Sequence, residues 1–436
     1  MKKVILLLIL VVVVLFFAIR VTTSPKPEVD VTLAGMGLGQ SSPMTVHVHH
    51  PKGVHQVTTT VTQNGSTYKV WELPQPTKDV DGTWSFNVGT RSTPQLKDGN
   101  AELVVEAKSN GMFAKTARWQ HAVNVVTQPP SVTADSDQHY LYRGMADLAT
   151  MNISGHWTEA GVKVGDQKFR AWPMPNGKPG FFSLYAFAWN MPDGTAPVAF
   201  ASNGVGNDVT SPLVVQFPKK EQPHYTEHQL PLDDKFIQKV VNELDPNGSG
   251  DMVQRFVKIN SEMRKANNKT LSDLRLKSAD HFLWSQVFLR QPGAKNEATF
   301  ADHRVYIYQG KKIDEQTHLG YDLAVTQHVG VQASNDGVVV YAAPLGIYGN
   351  CIVVDHGYGL QTIYGHLSQI QVKDGDQVKR GQVMGLSGMT GMAGGDHIHF
   401  TMQLDGVQID PKSWWDPHWI KDHIAKRVDL AGFSGD

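Results

Sequence analysis

A multidomain, mainly β protein is the fold class this sequence predicts, and three observations predict it. The chain has 436 residues, too many for one ordinary core, so two to four domains are expected. Short runs of alternating apolar and polar residues between turn signals fill most of it. A single stretch of helical period separates two β-rich parts. The elements expected in order are an N-terminal membrane helix (1–24), immunoglobulin-like β-sandwich modules (25–127 and 128–218), a helical segment (219–295), a small antiparallel β domain (296–420) and a tail (421–436).

The membrane helix is read from Lys2 and Lys3 followed by an unbroken apolar run over residues 4–19. As a helix that run spans about 24 Å, slightly short of a bilayer core of roughly 30 Å. It extends to Val21 if Arg20 snorkels. A cleaved signal peptide is the competing reading, but residues 20–24 offer no good small-x-small site. A retained single-pass anchor in the inner membrane is expected, with Lys2 and Lys3 cytoplasmic and the body periplasmic or otherwise exported.

The sandwich modules rest on period-two alternation, as in Met44, Val46 and Val48, at roughly ten-residue spacing. Pro129 and Pro130 mark the break before a second β-rich part carrying Phe181, Phe182, Leu184 and Phe187. Two immunoglobulin-like modules or one larger sandwich fit these runs, and such parts serve as spacers or as adhesive surfaces for a protein partner. The helical segment begins where Phe236, Ile237, Val240, Val241 and Leu244 recur on one helix face. Asp233 and Asp234 suit its positive end. Asp245-Pro-Asn-Gly-Ser-Gly-Asp251 breaks it, and Met252, Val253, Phe256 and Val257 start another amphipathic run. The break is a turn rather than a calcium loop, since position twelve is Phe256 and not a glutamate. Asn335-Asp336-Gly337 and Asp374-Gly375 are turn signals for hairpins in the last domain.

Charge is almost balanced, −1 in net, which argues against nucleic acid as a partner. The one cysteine, Cys351, lies in an apolar run and reads as buried strand filler. Histidines number nineteen, so only patterned ones are informative. His47, His49, His50 and His55 have no carboxylate near them in sequence and read as a solvated strand.

His318 and Asp322 in Thr-His-Leu-Gly-Tyr-Asp, His366 in Gly-His-Leu-Ser, and His397 and His399 in Asp-His-Ile-His-Phe are patterned. Imidazole and carboxylate are the usual ligands of a catalytic zinc. Residues i and i+2 of a strand face one way, so His397 and His399 point together. Four extended residues span roughly 13 Å, whereas two donors on one zinc sit only ~3–4 Å apart. The chain must bend between His318 and Asp322, and Gly320 is where it bends most easily.

With these motifs in this order, residues 300–419 resemble the lysostaphin-type zinc metallopeptidases, which cut the peptide cross-links of bacterial peptidoglycan. The glycine framework agrees: Gly349 and Asn350, Asp355 to Gly357, Gly381 and Gln382, and Ser387 to Gly391. The resemblance implies a zinc peptidase domain whose Zn2+ ligands are His318, Asp322 and His399. It makes His366 and His397 the catalytic proton carriers, one accepting a proton from water and the other stabilising the oxyanion or protonating the leaving amine. Stem peptides of peptidoglycan are the implied substrate, either at a D-alanyl–diamino acid bond or at a glycine–glycine bond. Where relatives commonly carry an acidic residue after His-x-His-Phe, Thr401 stands here, which puts support around the ligands in question. A catalytically silent member that activates another wall hydrolase is the alternative, though such regulators typically lose ligands and this chain keeps them.

Other features read as structural. His356 belongs to a turn, and Tyr306, Tyr308 and Tyr364 are packed aromatics before they are hydroxyl donors to a reacting carbonyl. The run 385–395 lacks the Lys-Ser/Thr ending of a phosphate loop. The hairpin 372–381 resembles one of biotin and lipoyl carriers, but the region that would match their modifiable lysine offers Met389 and Thr390 instead. The helical stretch 233–288 is expected to pack on the peptidase domain and restrain access to its groove, because short isolated helices are marginal in water.

Overall fold

The computed structural model describes residues 5, 9–15, 23–33, 35, 37–206, 208–218, 225–430 and 432–433. The membrane helix expected over 1–24 lies largely outside them. Among the described residues no helix is long and apolar enough to cross a membrane. The chain divides into two compact units, one built chiefly from residues up to Ser131, the other from Val132–Ile153, Ala160–Phe200 and everything after Val209.

In the first unit, alternation along Ser42–His49 buries Met44, Val46 and Val48. That strand lies between Glu28–Leu33 and Asp81–Val88 in a three-stranded antiparallel sheet. A five-stranded sheet contributes Val57, Val61, Leu103 and Val105 to the same apolar core, the arrangement of a sandwich. His47, His49 and His55 are solvent-accessible, as expected of a solvated strand, and only His50 departs from it. Asp81 lies opposite His49 in the neighbouring strand, its carboxylate 2.7 Å from His49 Nδ1. His50 is buried with Nδ1 3.1 Å from the Gly53 carbonyl.

In the second unit, strand β1 (Glu227–Leu232) leads into helix α1 (Asp234–Leu244). Asp233 caps α1, accepting from the Phe236 N–H at 2.8 Å, and the amphipathic period buries Ile237, Val240 and Val241. Helix α2 (Met252–Lys258) passes through a π-helical turn at Ile259–Met263 into α3 (Arg264–Asp273). The apolar faces of these helices pack with Tyr306, Ile347, Tyr348, Cys351 and Val353 in one core, and Cys351 is buried there.

The strands that frame the site are β2 (Lys295–Ala298), β3 (Asp302–Tyr308), β4 (Lys311–His318), β5 (Tyr321–Ala324), β6 (Gly337–Pro344), β7 (Asn350–Asp355), β8 (Leu360–Leu367), β9 (Gln377–Val378), β10 (His397–Leu404) and β11 (Val407–Ile409). An antiparallel sheet runs β2-β5-β10-β8-β7-β6-β9, with β11 beside β10. A second sheet joins β1 in parallel to β3, and β3 antiparallel to β4. The β-rich part after Val132 packs on this domain rather than standing apart. Phe182 stacks on Phe282 at 5.8 Å and meets Tyr358 edge-on at 5.0 Å.

Candidate metal centre

Strand register brings the patterned residues together. Asp322 on β5 pairs directly with His399 on β10, and Gly365 on β8 pairs with His399 from the other side. His397 and His399 share a face of β10, as the period of two requires. His318 ends β4, and the chain turns through Leu319 and Gly320 into β5. Gly320 has a second reason to be glycine: a Cβ there would lie 2.6 Å from Cε1 of His399.

His318 Nε2 lies 3.0 Å from His399 Nδ1 and 3.0 Å from Asp322 Oδ1, and His399 Nδ1 lies 3.2 Å from the same oxygen. All three residues are buried. Tetrahedral zinc with bonds of about 2 Å holds its ligand atoms roughly 3.3 Å apart, so the triangle fits such an ion. His399 supports this fit. Its Nε2 is buried without a hydrogen-bond partner, which leaves Nδ1 as the only ring nitrogen with polar company. Burial pushes the His399 imidazole down to about 4, and a neutral ring is the ligand form. For Asp322, burial works against ionisation, but His318, His397 and His399 outweigh it and hold the carboxyl well below its usual range.

Arg304, on β3, donates to Asp322 Oδ2 at 2.5 Å. That leaves Oδ1 as the oxygen in the triangle. Thr401 is fully buried two residues past His399 and donates only to the Met402 carbonyl, at 3.4 Å. Support for the ligands therefore arrives from β3, not from the position after the His-x-His motif.

His366 and His397 stand beside the triangle, their rings 4.8 Å apart. Each donates Nδ1–H to a backbone carbonyl, His366 to Thr390 at 2.8 Å and His397 to Gly395 at 2.9 Å. Both hydrogen bonds leave Nε2 as the basic nitrogen. Burial, with His397 and His399 nearby, holds His366 well below its usual range. In His397 burial also acts downward, but the Asp322 carboxylate reverses the net shift. His366 has φ of 65°, a left-handed conformation that non-glycine residues adopt at functional or strained positions. The glycine framework secures its partner loop. A Cβ at Gly349 would sit 2.2 Å from Thr390 Oγ1, which instead accepts from the Asn350 N–H at 2.9 Å.

A cavity of about 660 Å³ opens over these residues, walled by β1, α1 and α3 on the helical side. Tyr348, which the motif reading passed over, packs its ring 5.3 Å from that of His399. The tyrosines weighed from sequence are engaged elsewhere or packed. Tyr308 donates to Asp234 at 2.6 Å, Tyr364 accepts from the Ser334 N–H at 2.7 Å, and Tyr306 packs edge-on to Phe256. His356 is structural, held between the Asp336 carbonyl at 2.7 Å and Thr362 at 2.8 Å.

Residues 316–411 match the model of peptidase family M23. The DD-carboxypeptidase/endopeptidase Mpg of Neisseria meningitidis serogroup B is 38% identical over 96 residues, covering 22% of each chain. The peptidoglycan DD-endopeptidase ShyA of Vibrio cholerae is 44% identical over 93 residues, 21% of this chain and 22% of that one. The chain thus matches about a fifth of the length of these curated relatives. The solved catalytic domain of the antimicrobial peptidase lysostaphin from Staphylococcus simulans is 24% identical, with 33% of this chain and 96% of that one covered and a TM-score of 0.21.

Proposed function

We propose that the M23 peptidase domain at the C-terminal end of this chain is a zinc-dependent endopeptidase that hydrolyses peptide cross-links of bacterial peptidoglycan. The observation that carries this reading is the triangle of His318 Nε2, His399 Nδ1 and Asp322 Oδ1, at 3.0–3.2 Å, beside a substrate-sized cavity. When bound, zinc would supply Lewis acidity, polarising a carbonyl and making water nucleophilic at neutral pH. His366 and His397 present basic Nε2 atoms, so each can accept a proton from water or return one to a leaving amine. Their Nδ1 bonds to Thr390 and Gly395 fix the rings without consuming Nε2. The 38–44% identity to a carboxypeptidase/endopeptidase and a DD-endopeptidase supports the substrate class. The apolar run behind Lys2 and Lys3 supports export of the body to where peptidoglycan lies.

The test is incubation of the full chain with purified peptidoglycan, with and without a chelator, and identification of the fragments by mass. New peptide termini that vanish with chelator and return with zinc are expected. An unchanged digest in the zinc-loaded sample would overturn the reading in favour of a binding role.

A further inference from the structure

The helical wall of the cavity carries a cation that no carboxylate neutralises. Arg264 and Arg304 both line the space. Arg304 is committed to Asp322, whereas Arg264 takes part in no ion pair among the described residues. Its Nε donates to the Asn260 carbonyl at 3.1 Å, and its Nη2 to Asn260 Oδ1 at 2.6 Å and to Met392 Sδ at 3.4 Å. Asn260 is fully buried and held in turn by donation to Asp314 at 2.7 Å. One edge of the guanidinium is thus gripped, and Nη1 has no hydrogen bond among the described residues. The π-helical turn Ile259–Met263 ends at this arginine. Such turns change the phase of the residues after them and recur at functional sites.

Asn268 follows one helical turn later on the same face and also lines the cavity. Tyr348 connects this pair to the metal centre, its ring 5.3 Å from that of His399 and its hydroxyl donating to Asn268 Oδ1 at 2.8 Å. Two extended residues cover ~6.6 Å, about the length of a tyrosine side chain. We propose that Arg264, with Asn268, forms a subsite for a carboxylate of the substrate peptide about two residues or less from the bond that is cut.

This inference rests on the peptidase reading above and extends it to a choice of bond. A cross-link in which a D-alanyl group acylates a diamino diacid, whose acylated amine sits on a carbon that also bears a carboxyl, leaves a free carboxylate beside the scissile amide. A glycine–glycine bridge has none in its interior. An arginine fits the first because a guanidinium N–H makes a charge-assisted hydrogen bond to a carboxylate, and half-buried Arg264 has Nη1 left to make it. The helical segment then contributes to recognition and does more than limit access.

The experiment uses two synthetic muropeptide dimers that differ only in whether the carboxyl beside the scissile amide is free or amidated. Binding of each to the zinc-free full chain is measured by fluorescence anisotropy, and hydrolysis of each by the zinc-loaded chain as kcat/KM. The wild type is expected to favour the free carboxylate by roughly 10- to 100-fold in both ratios, the range for a hydrogen bond to a charged group. Arg264→Gln should bring both ratios close to one, with Arg264→Lys in between. Each ratio is taken within one variant, so partial loss of folded protein cancels. Equal binding of the two dimers by the wild type, or a preference that survives Arg264→Gln, overturns the subsite. Carboxylate-dependent binding through Arg264 without hydrolysis of either dimer keeps the subsite and overturns the peptidase reading.

Discussion

Two buried clusters of the second unit are built from nearly the same residues and differ in what they can hold. At the candidate metal centre, Asp322 meets His318, His397 and His399 and is held by Arg304. In the other, Asp147 meets His139 at 2.8 Å and His423 at 3.1 Å, with Arg427 3.0 Å from His139. The difference lies in what each imidazole faces. Both nitrogens of His139 have a carboxylate within reach, Asp147 on one and Asp135 at 3.1 Å on the other. Burial opposes its charge, yet the two carboxylates outweigh burial and raise His139 to about 9. His399 has one carboxylate and an orphaned nitrogen, and burial keeps it neutral. An imidazolium cannot bind a cation, and a neutral ring with a free lone pair can. Protonation state therefore separates a ligand set from an ion cluster, where a count of residue types does not.

The largest expected effect falls on the metal centre alone. His399→Ala should lose zinc by more than the ~10–100-fold that removal of an outer partner costs, and peptidoglycan cleavage with it. His139→Ala should keep one zinc per chain. Metal analysis of both proteins after gel filtration checks this; full zinc in the His399 variant would end the ligand assignment. Next, His366→Ala and His397→Ala should each keep most of the zinc while losing ~10²–10⁴-fold in cleavage rate. Unchanged rates in both would remove them from the chemistry.

The meeting of His318, Asp322 and His399 was legible in sequence because spacing reports geometry locally: His397 and His399 share a strand face, and a bend had to fall between His318 and Asp322. Arg304 and Tyr348 were not, because they reach the site through strand register and a short turn after β6. Cluster two was illegible for a related reason. His139 and Arg427 are separated by 288 residues, and His423 and Arg427 lie in what reads as a tail yet is helical over Lys421–Val428. Helix α3 has only Leu271 buried among polar residues, so its apolar period is faint and its length did not show.

The ion cluster should appear in stability rather than in catalysis. His139, raised from 6.5 to about 9, stabilises fully below pH 6.5 and loses that contribution as pH rises through 9. Asp147, lowered to about 2 against the pull of burial, stabilises above pH 3.8 and loses its share as pH falls through 2. Both contributions are complete between pH 4 and 6.5. The His139 share is on the order of 3 kcal/mol. Asp147→Asn should cost ~3–5 kcal/mol at pH 6, and the gap between it and the wild type should shrink toward pH 9.5. Chemical denaturation of both proteins across this range is the measurement. A gap independent of pH would mean that His139 is not charged.

The smallest effect separates the two arginines. Arg304 touches Asp322 through Oδ2 only, so its expected role is to present Oδ1 to the ion. Outer partners of ligating carboxylates commonly contribute ~10–100-fold to metal affinity. Arg304→Met should therefore weaken zinc by that factor in a chelator competition, while Arg304→Lys, which keeps the charge but loses the planar fork, should weaken it less. Arg427→Met should leave zinc affinity unchanged and lower the stability of the zinc-free protein, because the guanidinium also donates to the Leu148 carbonyl inside the ion cluster. If Arg304→Met lowered zinc-free stability as much as Arg427→Met and left zinc affinity intact, both arginines would be structural. The contrast between the clusters would then rest on the histidines alone.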